Sequence, residues 1–87
     1  MTYKVTLHRS ALKFIAKTPN HIAQRITDAI DGLAENPRPN GCLKLKDYQP
    51  PAWRIRVGDY RVIYRIIDNE LLVWVVEIDL RSDAYRN

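Results

Sequence analysis

Cysteine, glycine and histidine are all scarce in this chain, and each shortage removes a class of chemistry. Cys42 is the single cysteine of 87 residues. An intrachain disulfide is impossible, and so is a metal cage built from thiolates. Beside Gly41 it reads as a free thiol without a role. With three glycines there is no glycine-rich loop to cradle a phosphate or a dinucleotide. His8 and His21 lie far apart, and neither has an acid at a spacing that suggests an acid–base pair. The acidic residues are scattered. Asp28 and Asp31 fall at i and i+3 on a predicted helix and read as solvated, so the clustered carboxylates of a metal-dependent nuclease are missing. No serine-nucleophile motif is present. No apolar run is long enough to span a bilayer, and Met1-Thr2-Tyr3-Lys4-Val5 alternates like a strand and lacks the apolar core of a signal peptide. No cofactor, metal or membrane is therefore expected, and a cytoplasmic location is.

What is present is a globular composition, 46% apolar, in a length that predicts one domain over residues 1–87. Tyr3 to His8 alternates as a first strand. Ser10 is the expected N-cap of a short helix carrying Leu12, Ile15 and Ala16, and Thr18-Pro19-Asn20 breaks it. Ile22, Ile26, Ala29, Ile30 and Leu33 form one stripe of a second helix from about Pro19 to Glu35, which Asn36-Pro37 stops. The stretch to Pro51 reads as a loop. Ala52–Val57 and Tyr60–Ile67 read as two strands around Gly58-Asp59. After a turn at Asp68-Asn69, Glu70 to Ile78 is apolar enough to be a central strand covered on both faces. Asp79 to Asn87 reads as a polar tail. The order β-α-α-β-β-β predicts an α+β fold, with a two-helix hairpin on one face of a small, mainly antiparallel sheet and the first strand at its edge.

The net charge of +4 is unevenly distributed. Arg38 to Arg65 holds seven basic and two acidic residues, whereas the rest of the chain is nearly balanced. Such focusing favours nucleic acid, an anionic membrane surface or an acidic protein partner. Glycine at the first central position suits a two-residue type II′ turn, which pairs Val57 with Tyr60 and Arg56 with Arg61. Trp53, Ile55, Val57, Tyr60, Val62, Tyr64 and Ile66 then share one face. Arg54, Arg56, Arg61 and Arg65 share the other, which reads as carrying one sign of charge. Like charges directly opposite in a sheet are destabilising, by up to about 1 kcal/mol per pair. The expected reason to tolerate this is a polyanion lying across that face, the alternative being a solvated sheet face. Arg65 lies further from the turn and has Glu70 or Asp68 as possible partners. Lys44 and Lys46 either extend the basic surface or lie over apolar neighbours. Tyr85 either acts in a site, by stacking or hydrogen bonding, or packs on the sheet edge. Trp53, Trp74, Tyr60 and Tyr64 read mainly as core.

The element order, the segment Trp53-Arg54-Ile55-Arg56-Val57-Gly58-Asp59-Tyr60-Arg61-Val62-Ile63-Tyr64-Arg65, and the closing Arg81-Ser82-Asp83-Ala84-Tyr85 resemble the RelE toxins of bacterial toxin–antitoxin pairs. Ala11-Leu12 and the Asn36-Pro37 stop extend the resemblance over nearly the whole chain. It implies a metal-independent endoribonuclease that cleaves mRNA in the ribosomal A site by 2′-hydroxyl attack. The family's functional positions fall on Arg54, Arg56, Arg61, Arg81 and Tyr85, with Lys44, Lys46, Arg65 and Arg86 as candidates for holding RNA or the ribosome. The first two positions are lysines in the best-known members. Arginine stays protonated where lysine exchanges protons. Arg54 and Arg56 thus read as charge clamps, and proton transfer falls to Tyr85, to the ribosome or RNA, or to an arginine–water relay. The implied partners are the ribosome, mRNA and an acidic cognate antitoxin, the toxin alone being monomeric and forming a hetero-oligomer with the antitoxin. A ParE-like inhibitor of DNA gyrase and an inactive RNA-binding relative are the alternatives. Arg81 and Tyr85 argue against the gyrase poison, which has no need of them.

Overall fold

A computed structural model describes residues 2–80. Strand β1 (Lys4–Leu7) leads into helix α1 (Arg9–Ala16) through His8. His8, not Ser10, is the N-cap: its Nδ1 accepts from the Ser10 N–H at 3.1 Å. The Ser10 hydroxyl instead donates to the Val76 carbonyl at 3.1 Å. The Thr18 hydroxyl turns back onto the Phe14 carbonyl at 2.7 Å as α1 ends. Helix α2 (Asn20–Gly32) begins after Pro19, and its Ile26 and Ile30, with Leu33 just beyond, are buried. The helix is shorter than its apolar stripe, because Leu33 to Asn36 continue only as turns hydrogen-bonded to Ile30, Asp31 and Gly32.

The sheet has five strands in the order β1-β5-β4-β3-β2. These are β2 (Leu43–Leu45), β3 (Ala52–Val57), β4 (Tyr60–Ile67) and β5 (Leu72–Leu80), with a 3-10 turn at Asp68–Glu70. β1 lies at the edge, as expected, and runs parallel to β5, while every other pairing is antiparallel. β2 was expected to be loop; its three residues pair with the start of β3. β5 begins two residues later than expected and runs to Leu80, so Asp79 belongs to the sheet and not to a tail.

Both helices pack on the same side. Tyr64, Val62, Val73, Val75 and Ile55 meet Ile26, Ile30, Leu33 and Ala11 there. All seven apolar residues assigned to one hairpin face lie in or against this core. Burying each large side chain contributes roughly 1.5–3 kcal/mol relative to leaving it exposed. The Tyr64 hydroxyl enters the core with a partner, donating to the Pro37 carbonyl at 2.7 Å. Burial pushes its phenol well above the usual tyrosine range.

β5 is covered on one face only. Val73, Val75 and Ile78 are buried, but Trp74 and Glu77 are exposed. A bulge explains how the pattern survives: Ile63 pairs with Glu77 and Tyr64 with Val75, leaving Val76 without an opposite residue. The extra residue restores the inward phase of Ile78, and the Val76 carbonyl is the one that takes the Ser10 hydroxyl.

Candidate nucleic-acid interface

The hairpin turn sets the site. Gly58 has φ +60, and Leu71 is the one non-glycine residue with positive φ among those described, so Asp59 has negative φ. That combination is the type II′ pattern. The resulting register places Arg56 opposite Arg61 and Val57 opposite Tyr60, as the turn chemistry predicts.

Directly opposed residues share a face, so the register gives the outer face row by row. Nearest the turn lie Arg56, Arg61 and Asp79. Arg61 Nε and Nη2 donate to the two Asp79 carboxylate oxygens at 3.3 and 3.1 Å, with both side chains about one-quarter exposed. This hydrogen-bonded carboxylate pushes the Arg61 guanidinium further up, outweighing partial desolvation, while Tyr48 and Glu77 add smaller favourable fields. Arg61 is therefore a fixed cation. Asp79 also relieves the Arg56–Arg61 repulsion from the far side of Arg61.

The second row runs Leu43, Arg54, Ile63, Glu77. Arg54 makes one long contact, Nη1 to the Gly41 carbonyl at 3.5 Å. Ile63 is fully buried although it lies on the face away from the helices. In the third row Arg65 faces Trp74. Arg65 pairs with neither Asp68 nor Glu70, and its Nε is buried without a partner among the described residues. The face thus mixes signs, contrary to the one-sign reading, because β5 brings Glu77 and Asp79 across to it.

The structure brings Arg54, Arg56, Arg61 and Arg65 together but separates Lys44 from them. Lys44 stands opposite Trp53, on the helix side, with Nζ 5.8 Å from the indole centroid. Lys46 is exposed just past β2. Arg81, Tyr85 and Arg86 lie outside the described residues. No group of three or more His, Cys, Asp or Glu side chains able to hold a metal ion occurs among the described residues, and no described helix is long and apolar enough to cross a membrane.

Two charged residues were misread from sequence. Arg38, counted with the basic segment, lies over the other face of the sheet. Its guanidinium is 5.0 Å from the Trp53 ring centroid and grips both Asp68 oxygens at 2.8 and 3.3 Å. Tyr3 donates to the same carboxylate at 2.7 Å. The hydrogen bonds from Arg38 and then Tyr3 hold the Asp68 carboxyl below its ordinary range. Asp79 was assigned to a tail. One step past Ile78, whose inward phase depends on the bulge at Val76, Asp79 falls outward beside Arg61.

β2 covers β3 only as far as Arg54, so the backbone of residues 55–57 has an open edge. A cleft of about 470 Å³ lies along that edge. Ala29 and Gly32 of α2, Asn40 and Gly41 of the preceding connection, and Arg54 and Arg56 contribute to its walls.

Known proteins share this fold. The profile of the family described as ParE toxin of type II toxin-antitoxin system, parDE, matches residues 5–85. The chain is 32% identical over 85 residues to Toxin RelE of Mycobacterium tuberculosis, covering 97% of this chain and 87% of that one. The archaeal RelE–RelB complex from Pyrococcus horikoshii OT3 superposes with a TM-score of 0.82 at 28% identity, over 94% of this chain and 98% of that one. The toxin–antitoxin complex RelBE2 of Mycobacterium tuberculosis gives 0.78 at 25% identity, over 93% and 100%. A profile match over almost the whole chain, together with relatives named RelE, places this protein in the RelE/ParE superfamily as a RelE-family toxin of a type II toxin–antitoxin system.

Proposed function

We propose that the protein is a ribosome-dependent, metal-independent mRNA endoribonuclease that cuts in the A site and so stops translation. The observation that carries this reading is the Arg56–Arg61 pair, opposed across the hairpin on the face away from the helices. Two guanidiniums so placed can grip one phosphate from both sides with bidentate hydrogen bonds. Arg61 is already oriented by Asp79, which lowers the cost of arranging it around a substrate.

In the proposed reaction the RNA 2′-oxygen bonds to the adjacent phosphorus and the bond from phosphorus to the 5′-oxygen breaks. The products are a 2′,3′-cyclic phosphate and a 5′-hydroxyl. The 2′-hydroxyl proton leaves to a base, and a proton is returned to the departing 5′-oxygen. Arg54, Arg56, Arg61 and Arg81 supply fixed positive charge where negative charge grows on phosphorus. Being protonated throughout, arginines are poor proton acceptors, so that step is assigned to Tyr85, to the ribosome or RNA, or to an arginine–water relay. Lys46, Arg65 and Arg86 add binding charge, and Lys44 does so from the helix side.

An acidic cognate antitoxin would neutralise the arginine face or displace the C-terminal segment. Relatives crystallised as RelE–RelB complexes support this partner. The setting is the cytoplasm, where ribosomes and mRNA meet.

Primer extension on an mRNA in a reconstituted bacterial translation reaction tests the reading. Breaks confined to the translated frame, and dependent on ribosomes, are expected. Intact mRNA in the presence of folded protein would overturn it and turn attention to gyrase, through a supercoiling assay.

A further inference from the structure

Arg25 has no place in the site described so far. It lies exposed in the middle of α2, yet its guanidinium reaches the hairpin tip. A Cβ built on Gly58 would stand 3.8 Å from both its Nη1 and its Nη2. Arg25 makes no hydrogen bond or ion pair with any described residue. Neither carboxylate near it forms an ion pair with it. Asp28, one turn further along α2, accepts from Gln24 at 2.8 Å, and Asp59, next to Gly58 in the turn, forms no ion pair with it. The fold therefore places a guanidinium without a direct partner among the described residues against the turn that joins Arg56 to Arg61.

The same stripe of α2 leads onward. Ala29 and Gly32 follow Arg25 at i+4 and i+7, on one side of the helix. Both line the 470 Å³ cleft whose other wall carries Arg54 and Arg56. A volume of this size accommodates a small organic group. Alanine and glycine leave room for a flat ring, and Asn40 offers an amide that both donates and accepts. Two arginines, an amide and an otherwise apolar lining match one nucleotide, which has a charged phosphate and a planar base. An acidic peptide would satisfy the arginines but offers no planar group at every charge.

We propose that bound RNA does not end on the outer face but passes over the open edge of β3 into this cleft, with Arg25 holding a backbone phosphate at the hairpin tip. The inference rests on the RNA-cleaving reading. Arg25 is a binding residue in it and takes no part in the chemistry.

The test is binding of a fluorescein-labelled 12-nucleotide oligoribonucleotide, followed by anisotropy across a potassium chloride series. Loss of one phosphate contact from single-stranded RNA reduces the slope of log K against log salt by about 0.7. Arg25→Ala is expected to weaken binding several-fold and to flatten the slope by that amount, and Arg25→Lys to restore the slope. Lys17→Ala, an exposed cation of α1's C-terminal end, is expected to leave the slope unchanged. Gly32→Leu probes the cleft separately. A Cβ there meets nothing within 4 Å, so the branch point of the added side chain is accommodated, and an unchanged melting temperature is required of the variant. It should weaken binding several-fold with no change in slope. A wild-type slope in Arg25→Ala, an equal effect from Lys17→Ala, or absence of wild-type binding overturns the Arg25 site. Wild-type affinity in Gly32→Leu removes the cleft from the path. Loss of polyglutamate binding in place of RNA binding would make this a protein-docking surface and overturn the proposal. Primer extension distinguishes the two readings. Intact mRNA alongside the expected slope change removes the nuclease and leaves the RNA path. Ribosome-dependent cleavage with an unchanged slope does the reverse.

Discussion

On the helix side of the sheet, Arg38 has its charge and its flat face both occupied. Asp68 takes the charge through two hydrogen bonds, and the Trp53 ring lies 5.0 Å from the guanidinium. On the outer side, Arg54 has a single 3.5 Å contact to a carbonyl, and Arg61 is held by Asp79 along one edge of its fork. The residue type is the same and the charge is the same. What separates the two sides is whether the fold supplies an arginine with both a counter-ion and a surface to stack on. Arg38 ties the connection after α2 to the turn before β5, whereas Arg54 reaches only the Gly41 carbonyl and Arg61 only the neighbouring strand's Asp79.

The comparison can be broken from either side. The largest effect expected is from Arg61→Ala. Removing one fixed cation from beside a transition-state charge should cost at least roughly 10²-fold in cleavage rate. Circular dichroism and the melting temperature should change little, since the lost ion pair is only partly buried. Wild-type cleavage by this variant would mean that the outer arginines, like Arg38, serve the fold.

Tyr64→Phe acts on the helix side. It leaves the Pro37 carbonyl without its donor, at a cost of about 1–3 kcal/mol in a urea melt. It should also change the alkaline limb. The Tyr64 phenol is raised by burial, so the stability it contributes is complete below the unfolded tyrosine value near 10. That contribution falls as pH rises from there towards the folded value, because only the unfolded chain releases the proton. The variant should lack this part of the decline. An unchanged alkaline limb would place the fully buried ionisable group elsewhere.

A large part of the fold was legible because local chemistry and global pattern agree at the hairpin. Gly58 dictates the turn, the turn dictates the register, and the register sorts seven apolar residues from four arginines. β2 was not legible. Three residues of Leu-Lys-Leu carry too little alternation to stand apart from a loop, and the strand exists because β3 offers it an edge. The extra length assigned to α2 came from an apolar stripe that persists into the turns closing the helix. Arg38 was indistinguishable from the other basic residues because its partner lies 30 positions away in sequence. Asp79 was hidden by a bulge, which shifts the phase of β5 by one residue before it arrives. Arg81, Tyr85 and Arg86 lie outside the described residues.

The smallest effect sharpens the comparison most. Arg38→Ala should leave cleavage and RNA affinity at wild-type values. Its cost in stability, about 0.5–1 kcal/mol from the lost contact with Trp53, should be greatest at neutral pH. The Asp68 carboxyl is held low by Arg38, so its contribution is present above the unfolded carboxylate value and lost as pH falls through the folded one. Tryptophan fluorescence melts at pH 7 and in steps below pH 4 should show the gap between variant and wild type narrowing. A gap constant with pH would remove the ion pair from the account and leave the stacking.

The parallel pairing of β1 with β5 has a consequence in time. Residues 4–7 are joined to residues 72–75, so the first strand synthesised waits for the last described one before it has a neighbour. Asp79, which orients Arg61, arrives later still. A contact spanning most of the chain slows folding, because loop closure precedes any gain from the contact. While the chain is being made, the ribosome holds β3 and β4 without the strand that sets Arg61 in place. The ion pair that orients Arg61 therefore forms only after both strands of its own hairpin have been made.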